Sequence, residues 1–171
     1  ATQSVAQEIK LRYNNSMMNS EDNFPAIVNR KDPYRAHIKD YTWGSNSTKS
    51  KQGNMFMNVS RFNTGTLGTK DAREAAVGYV NYIHGVNPLN FVYLSNMFKY
   101  GAKNGVREFY HTWFADGSVK WDRVGTSTYG PAPGFLTGGP NPLFNWDSCC
   151  PGGCWSAANN AKCNSESITP P

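Results

Sequence analysis

From Tyr100 to Pro171 the chain offers no apolar periodicity that would sustain a helix longer than two turns. Gly130-Pro131-Ala132-Pro133-Gly134 and Gly138-Gly139-Pro140-Asn141-Pro142 punctuate this stretch, with aromatic residues scattered between them. Pro lacks the amide proton that the interior of a helix or sheet uses, and Gly loses the most conformational entropy when ordered. So long a run without regular structure is unusual in a compact domain unless its loops are functional or pack against something else. The chain therefore divides into a scaffold and a set of loops.

The scaffold lies before Pro88. Thr69–His84 carries Ala72, Ala75, Ala76, Tyr79, Val80 and Ile83 as one apolar stripe at helical spacing, the pattern of a core face. Thr69 is placed to cap this helix, Asp71 suits the positive end of its dipole, Gly85 suits its C-terminal cap, and Pro88 blocks continuation. Ser45–Phe62 presents Gln52, Met55, Phe56, Val59 and Phe62 at the same spacing, and Ser4–Tyr13 reads as a short helix. Phe91–Met97 is an apolar run that fits either a short helix or a buried extended segment. Three helices beside so much loop make a thin core, which predicts a portion of a larger domain; no internal repeat is present.

Composition narrows the function. Of the 171 residues 17% are charged, against roughly 25% in an average domain, and 13% are aromatic. That balance argues against disorder. The formal charge of +5 is modest and the basic residues do not cluster, which argues against a nucleic-acid partner. No stretch approaches the ~20 apolar residues of a membrane span. The start at Ala1, without Met or a charged-then-apolar leader, predicts a processed or an engineered terminus. What the chain has in excess is polar but uncharged: 19 Asn, 16 Gly and 10 Pro. Asn amides both donate to and accept from sugar hydroxyls, and aromatic faces stack on sugar rings, so the composition fits a secreted carbohydrate-active protein.

The four cysteines, Cys149, Cys150, Cys154 and Cys163, lie within fifteen residues. Four thiols allow three pairings, and four thiolates could alternatively hold zinc. The spacing lacks the usual pair of CxxC knuckles, and Asn14, Asn46 and Asn58 head sequons that permit secretion, so two disulfides are the preferred reading. Adjacent cysteines bond each other only with strain, and the favoured pairing is Cys150 with Cys154 and Cys149 with Cys163.

Five strings carry more specific information: Asp40-Tyr41-Thr42-Trp43-Gly44-Ser45-Asn46, Tyr82-Ile83-His84-Gly85-Val86-Asn87-Pro88-Leu89, Tyr93-Leu94-Ser95-Asn96-Met97, Tyr110-His111-Thr112-Trp113-Phe114 and Pro133-Gly134-Phe135-Leu136-Thr137-Gly138-Gly139-Pro140-Asn141. Their order and spacing resemble the C-terminal part of the catalytic domain of glycoside hydrolase family 9, the inverting cellulases. The resemblance runs from about Pro33 to the end. It implies a mainly α fold, a fragment of an (α/α)6 barrel with long irregular loops, in which residues 1–171 are the C-terminal portion of a single catalytic domain. It also implies a secreted enzyme that cleaves β-1,4-glucosidic bonds in cellulose or related β-glucans, with the missing remainder of the domain as partner and no cofactor.

Inverting hydrolysis needs a general base and a general acid about 6.5–9.5 Å apart. The family's base sits in an Asp-rich motif, and its acid is a Glu that follows these strings. Neither motif is found, and Glu166 lies in a Ser-Glu-Ser context unlike the acid's. The resemblance therefore predicts that this chain alone is inactive. It assigns His111 to the family's His-x-Arg motif, with Trp113 standing where the Arg is usual. His111 is the candidate catalytic-site residue, and Trp113, Trp121 and Tyr129 are candidate substrate-binding residues; Trp155 is a further aromatic able to stack. Asp116 and Asp122 offer hard oxygens at short spacing for calcium, although a solvated turn reads the same way. A non-catalytic carbohydrate-binding protein and a disulfide-clamped interaction module are the alternatives.

Overall fold

The computed structural model describes residues 2–41, 44–64, 68–107 and 118–140. Its helices are α1 (Gln3–Asn19), α2 (Phe24–Val28), α3 (Ser45–Phe62) and α4 (Thr69–Ile83); two short strands, β1 (Val92–Ser95) and β2 (Gly105–Val106), flank a 3-10 turn at Phe98–Tyr100. The fold is mainly α with long irregular loops, as expected. The residues sort into two compact units, one of Ala1–Lys39 with Lys49–Tyr82 and one of Asp40–Thr48 with Ile83–Pro171.

In the first unit, α4 buries Ala72, Ala75, Ala76, Tyr79 and Tyr82. Phe56 and Val59 of α3 are buried with them, and the Phe56 and Tyr79 rings stack with centroids 6.0 Å apart. Small residues allow the backbones this near. A Cβ on Gly53 would lie 3.1 Å from the Tyr79 Cβ, and one on Gly78 would overlap the carbonyl oxygen of Arg35. The Tyr79 hydroxyl donates to the His37 carbonyl at 2.7 Å.

The predicted bounds of α3 are met in full, and those of α4 to within one residue. Two stripe members are corrected: Val80 is 50% exposed and Phe62 54%. At 100° per residue Val80 falls beside the face centred on Tyr79, whereas Tyr82 falls on it. Phe62 instead lines a groove of about 350 Å³ with Ile9 and Tyr13 of α1. The cap is corrected too. The Ala72 amide donates to the Gly68 carbonyl, so Thr69 is already helical and Gly68 precedes it as the cap. Gly85 closes the other end with φ +111°, as expected.

Helix α1 runs six residues past the predicted Tyr13. Its last turns are held from outside: the Tyr13 hydroxyl donates to the Met55 carbonyl at 2.9 Å, Met17 is buried, and the Asn23 side-chain amide donates to the Ser16 carbonyl at 2.8 Å. Tertiary bonds, not periodicity, extend it.

A lysine sits inside this unit. Lys49 is fully buried; its Nζ donates to the Ala36 carbonyl and lies 3.9 Å from the centroid of the Tyr82 ring. Ring and carbonyl replace part of the lost hydration. Burial still holds the Lys49 pKa down to about 8, with the nearby negative charge of Asp32 working the other way. An unfolded lysine keeps its proton to about 10.4. Between these values the unfolded chain binds more protons, so stability rises with pH across this window, and the cost of the buried charge is fully present below it. Urea denaturation between pH 7 and pH 10.5 is expected to show a gain of up to about 3 kcal/mol that is absent in Lys49→Met. Equal slopes in the two proteins would contradict the assignment.

Candidate functional site

In the second unit β1 is the hub. On one side it pairs in parallel with β2. On the other side it meets residues 134–137. The Ser95 amide donates to the Phe135 carbonyl at 2.9 Å, the Gly134 amide to the Ser95 carbonyl at 2.8 Å, and the Thr137 amide to the Tyr93 carbonyl at 3.0 Å. Within Phe91–Met97, Val92–Ser95 is thus extended, with Phe91 and Tyr93 buried, and the run then turns at Asn96, whose φ is +49°.

This pairing joins strings far apart in the sequence. The Asn46 backbone amide at the start of α3 donates to the Gly138 carbonyl at 2.8 Å, and its side-chain amide donates to the Thr137 carbonyl at 3.1 Å. The Ser45 hydroxyl donates to the Pro140 carbonyl at 2.8 Å. Gly139 has φ +92°, and a Cβ there would lie 2.6 Å from the Ser45 Oγ and 2.5 Å from the Asn46 Cγ. Only glycine fits. Asn46 is fully buried, so its sequon is closed to a glycan in this fold.

The same strand anchors an aromatic loop. The Asn96 side-chain amide donates to the carbonyls of Tyr129 and Pro131 at 3.2 and 2.7 Å, and the Ser95 hydroxyl donates to the Ala132 carbonyl at 2.6 Å. Across the loop, the Tyr129 amide donates to the Lys120 carbonyl at 2.8 Å and the Thr128 amide to the Val119 carbonyl at 3.0 Å. These bonds bring Trp121 and Tyr129 together with ring centroids 4.8 Å apart at 34°, yet the residues are 43% and 60% exposed. Exposed rings held in contact by backbone bonds are a ready apolar platform for the C–H face of a sugar. Next to Trp121, the Asp122 Oδ1 is buried and has no hydrogen-bond partner among the described residues.

Two predicted substrate residues, Trp121 and Tyr129, are therefore neighbours. His111, Trp113, Asp116, Trp155, Glu166 and the four cysteines, Cys149, Cys150, Cys154 and Cys163, lie outside the described residues. Among the described residues no three His, Cys, Asp or Glu side chains gather as a metal site requires, and Asp122 is the one member of the proposed calcium pair described. Sequence reasoning missed Ser95 and Asn96 as the anchors of the platform. The string that contains them was singled out, but nothing local indicates that their side chains reach carbonyls more than thirty residues away.

The described residues thus combine a mainly α scaffold with a loop that presents two exposed aromatic rings in tilted contact. The family model described as glycosyl hydrolase family 9 matches residues 1–167, nearly the whole chain. The chain belongs to that family, whose members are glycoside hydrolases of the cellulase type acting on polysaccharide, and its helices are consistent with part of the family's helical barrel. No curated protein matches it.

Gly139→Ala is expected to lower stability by about 2–4 kcal/mol, from overpacking against Ser45 and Asn46 together with the positive φ. The contact between the Trp121 and Tyr129 rings is expected to loosen with it, read by near-ultraviolet circular dichroism. A variant as stable as the parent would refute the interlock.

Proposed function

We propose that the chain is the C-terminal portion of the catalytic domain of a secreted, inverting glycoside hydrolase that cleaves β-1,4-glucosidic bonds in cellulose or a related β-glucan. The observation that carries this reading is the exposed Trp121–Tyr129 pair, tied through Asn96 to the family's loop strings. Flat rings match the equatorial faces of β-linked glucose, whose axial C–H groups present an apolar surface.

In this reading the chain binds and orients the polymer, and Trp113 extends the aromatic surface. His111 donates from a ring nitrogen to a sugar hydroxyl, a bond that strengthens as the ring distorts toward the oxocarbenium-like state. The acid protonates the leaving oxygen, and the base activates a water on the opposite face of the sugar. Both carboxylates come from the remainder of the domain, so the chain alone binds without turnover. Cys150–Cys154 and Cys149–Cys163 disulfides clamp the C-terminal loops, in keeping with secretion.

Affinity electrophoresis in soluble β-1,4-glucan tests the substrate face. The chain should be retarded, and Trp121→Ala or Tyr129→Ala should each weaken binding by about 2- to 13-fold, the equivalent of 0.5–1.5 kcal/mol per ring contact. Release of reducing sugar abolished by a single Asp or Glu change in this chain would relocate the acid–base pair into it. Binding without any role in turnover, even alongside the rest of the domain, would favour the carbohydrate-binding alternative.

Peptide mapping under non-reducing conditions checks the clamp. No free thiol and the two named linkages are expected; four free thiols or bound zinc would overturn both the pairing and the secreted assignment.

A further inference from the structure

The first unit holds a cleft of about 580 Å³, lined in part by Phe24, Arg30, Asp32, Arg35 and Asp71. Two of its arginines have a backbone that ordinarily selects glycine. Arg30 closes α2: its amide donates to the Ile27 carbonyl at 3.3 Å, the Lys31 amide to the Ala26 carbonyl at 3.1 Å, and its φ is +51°. Arg35 ends a turn in which its amide donates to the Asp32 carbonyl at 2.9 Å, its φ is +55°, and its carbonyl abuts Gly78. A β-carbon is unfavourable at both positions, and such outliers collect where a side chain is needed for function. Both arginines face the same cleft, and among the described residues neither guanidinium is in an ion pair.

We propose that this cleft is a second glycan-binding site, for a neutral β-linked gluco-oligosaccharide; the choice of sugar rests on the function proposed above. Each guanidinium only donates hydrogen bonds and each ionised carboxylate only accepts them, whereas every sugar hydroxyl does both. The Asp32 carboxylate is fixed in place by accepting from the Tyr34 and Ala36 amides at 2.9 and 3.2 Å, and Asp71 stands in the first turn of α4. Phe24 adds an apolar face. Two positive and two negative groups line the cleft together, so it has no net attraction for an anion, and the carboxylates would repel one. The volume is within the range of small-molecule sites.

The left-handed arginines supply a discriminating test. Arg30→Gly and Arg35→Gly remove the side chain and relieve the backbone together, so thermal stability should hold or rise while binding falls. The full chain is titrated with cellohexaose by NMR, following the side-chain Nε–H signals of Arg30 and Arg35 and, separately, the indole N–H of Trp121. Saturable shifts of both arginine signals are expected, with at least fivefold weaker binding at the cleft in either glycine variant and an unchanged Trp121 response. Movement of Trp121 alone would overturn the cleft site and leave the substrate reading standing. Movement of neither would overturn both. Arginine shifts with inorganic phosphate but not with cellohexaose would identify an anion site instead, and a clear loss of stability in the glycine variants would show that the arginines are structural.

Discussion

The second unit is organised by the approach of Gly139 to the start of α3. A helix begins with amide groups that have no intrahelical acceptor. Here Asn46 sends its backbone amide to the Gly138 carbonyl and its side-chain amide to the Thr137 carbonyl, while Ser45 reaches Pro140. This density of bonding is possible because residue 139 has no side chain and tolerates φ +92°. Residues 134–137 can then run along β1, and β1 in turn holds Tyr129 and Pro131 through Asn96. The aromatic platform is thus the last link in a chain of backbone and side-chain hydrogen bonds that begins at a helix terminus. Its rings are exposed, yet their geometry does not depend on burying them.

The first unit relies on close helix packing. Glycine and alanine bring α3 and α4 near enough for Phe56 and Tyr79 to stack, and the gain comes from apolar area and contact. Against that gain the unit sets a buried ammonium and two arginines in a left-handed backbone. Lys49 is matched by a carbonyl and a ring, so part of its hydration is replaced. Among the described residues neither arginine is in an ion pair, and both line the same cleft. A left-handed backbone at a residue that carries a β-carbon is a local cost that glycine would not bear.

The catalytic-family assignment and the described geometry meet in the loop strings. Motifs at 40–46, 93–97 and 133–141 were legible as a set by order and spacing. Within the described residues the first two both bond the third: Asn46 to Thr137 and Gly138, Tyr93 and Ser95 to Thr137 and Phe135. Their function is thereby partly explained as architecture. Asn46, also a sequon, is committed to holding a loop and is buried there.

The sequence by itself determined α3 and α4, because apolar side chains recurring every three or four residues leave a helix one face to bury and the pattern is written locally. It also determined which residues end α4, since a left-handed Gly85 followed by Pro88 stops a helix whatever surrounds it. It marked Trp121 and Tyr129 as sugar-facing candidates without indicating that they touch. Only the tertiary structure decided that contact, the extension of α1 to Asn19, the extended form of Val92–Ser95, and the left-handed backbone of Arg30 and Arg35. Each of these rests on hydrogen bonds or close approaches between residues whose partners lie beyond any local period, or on a φ that the residue's own chemistry disfavours. Such choices are made by the fold's sum of contacts, and no short stretch of sequence carries them alone.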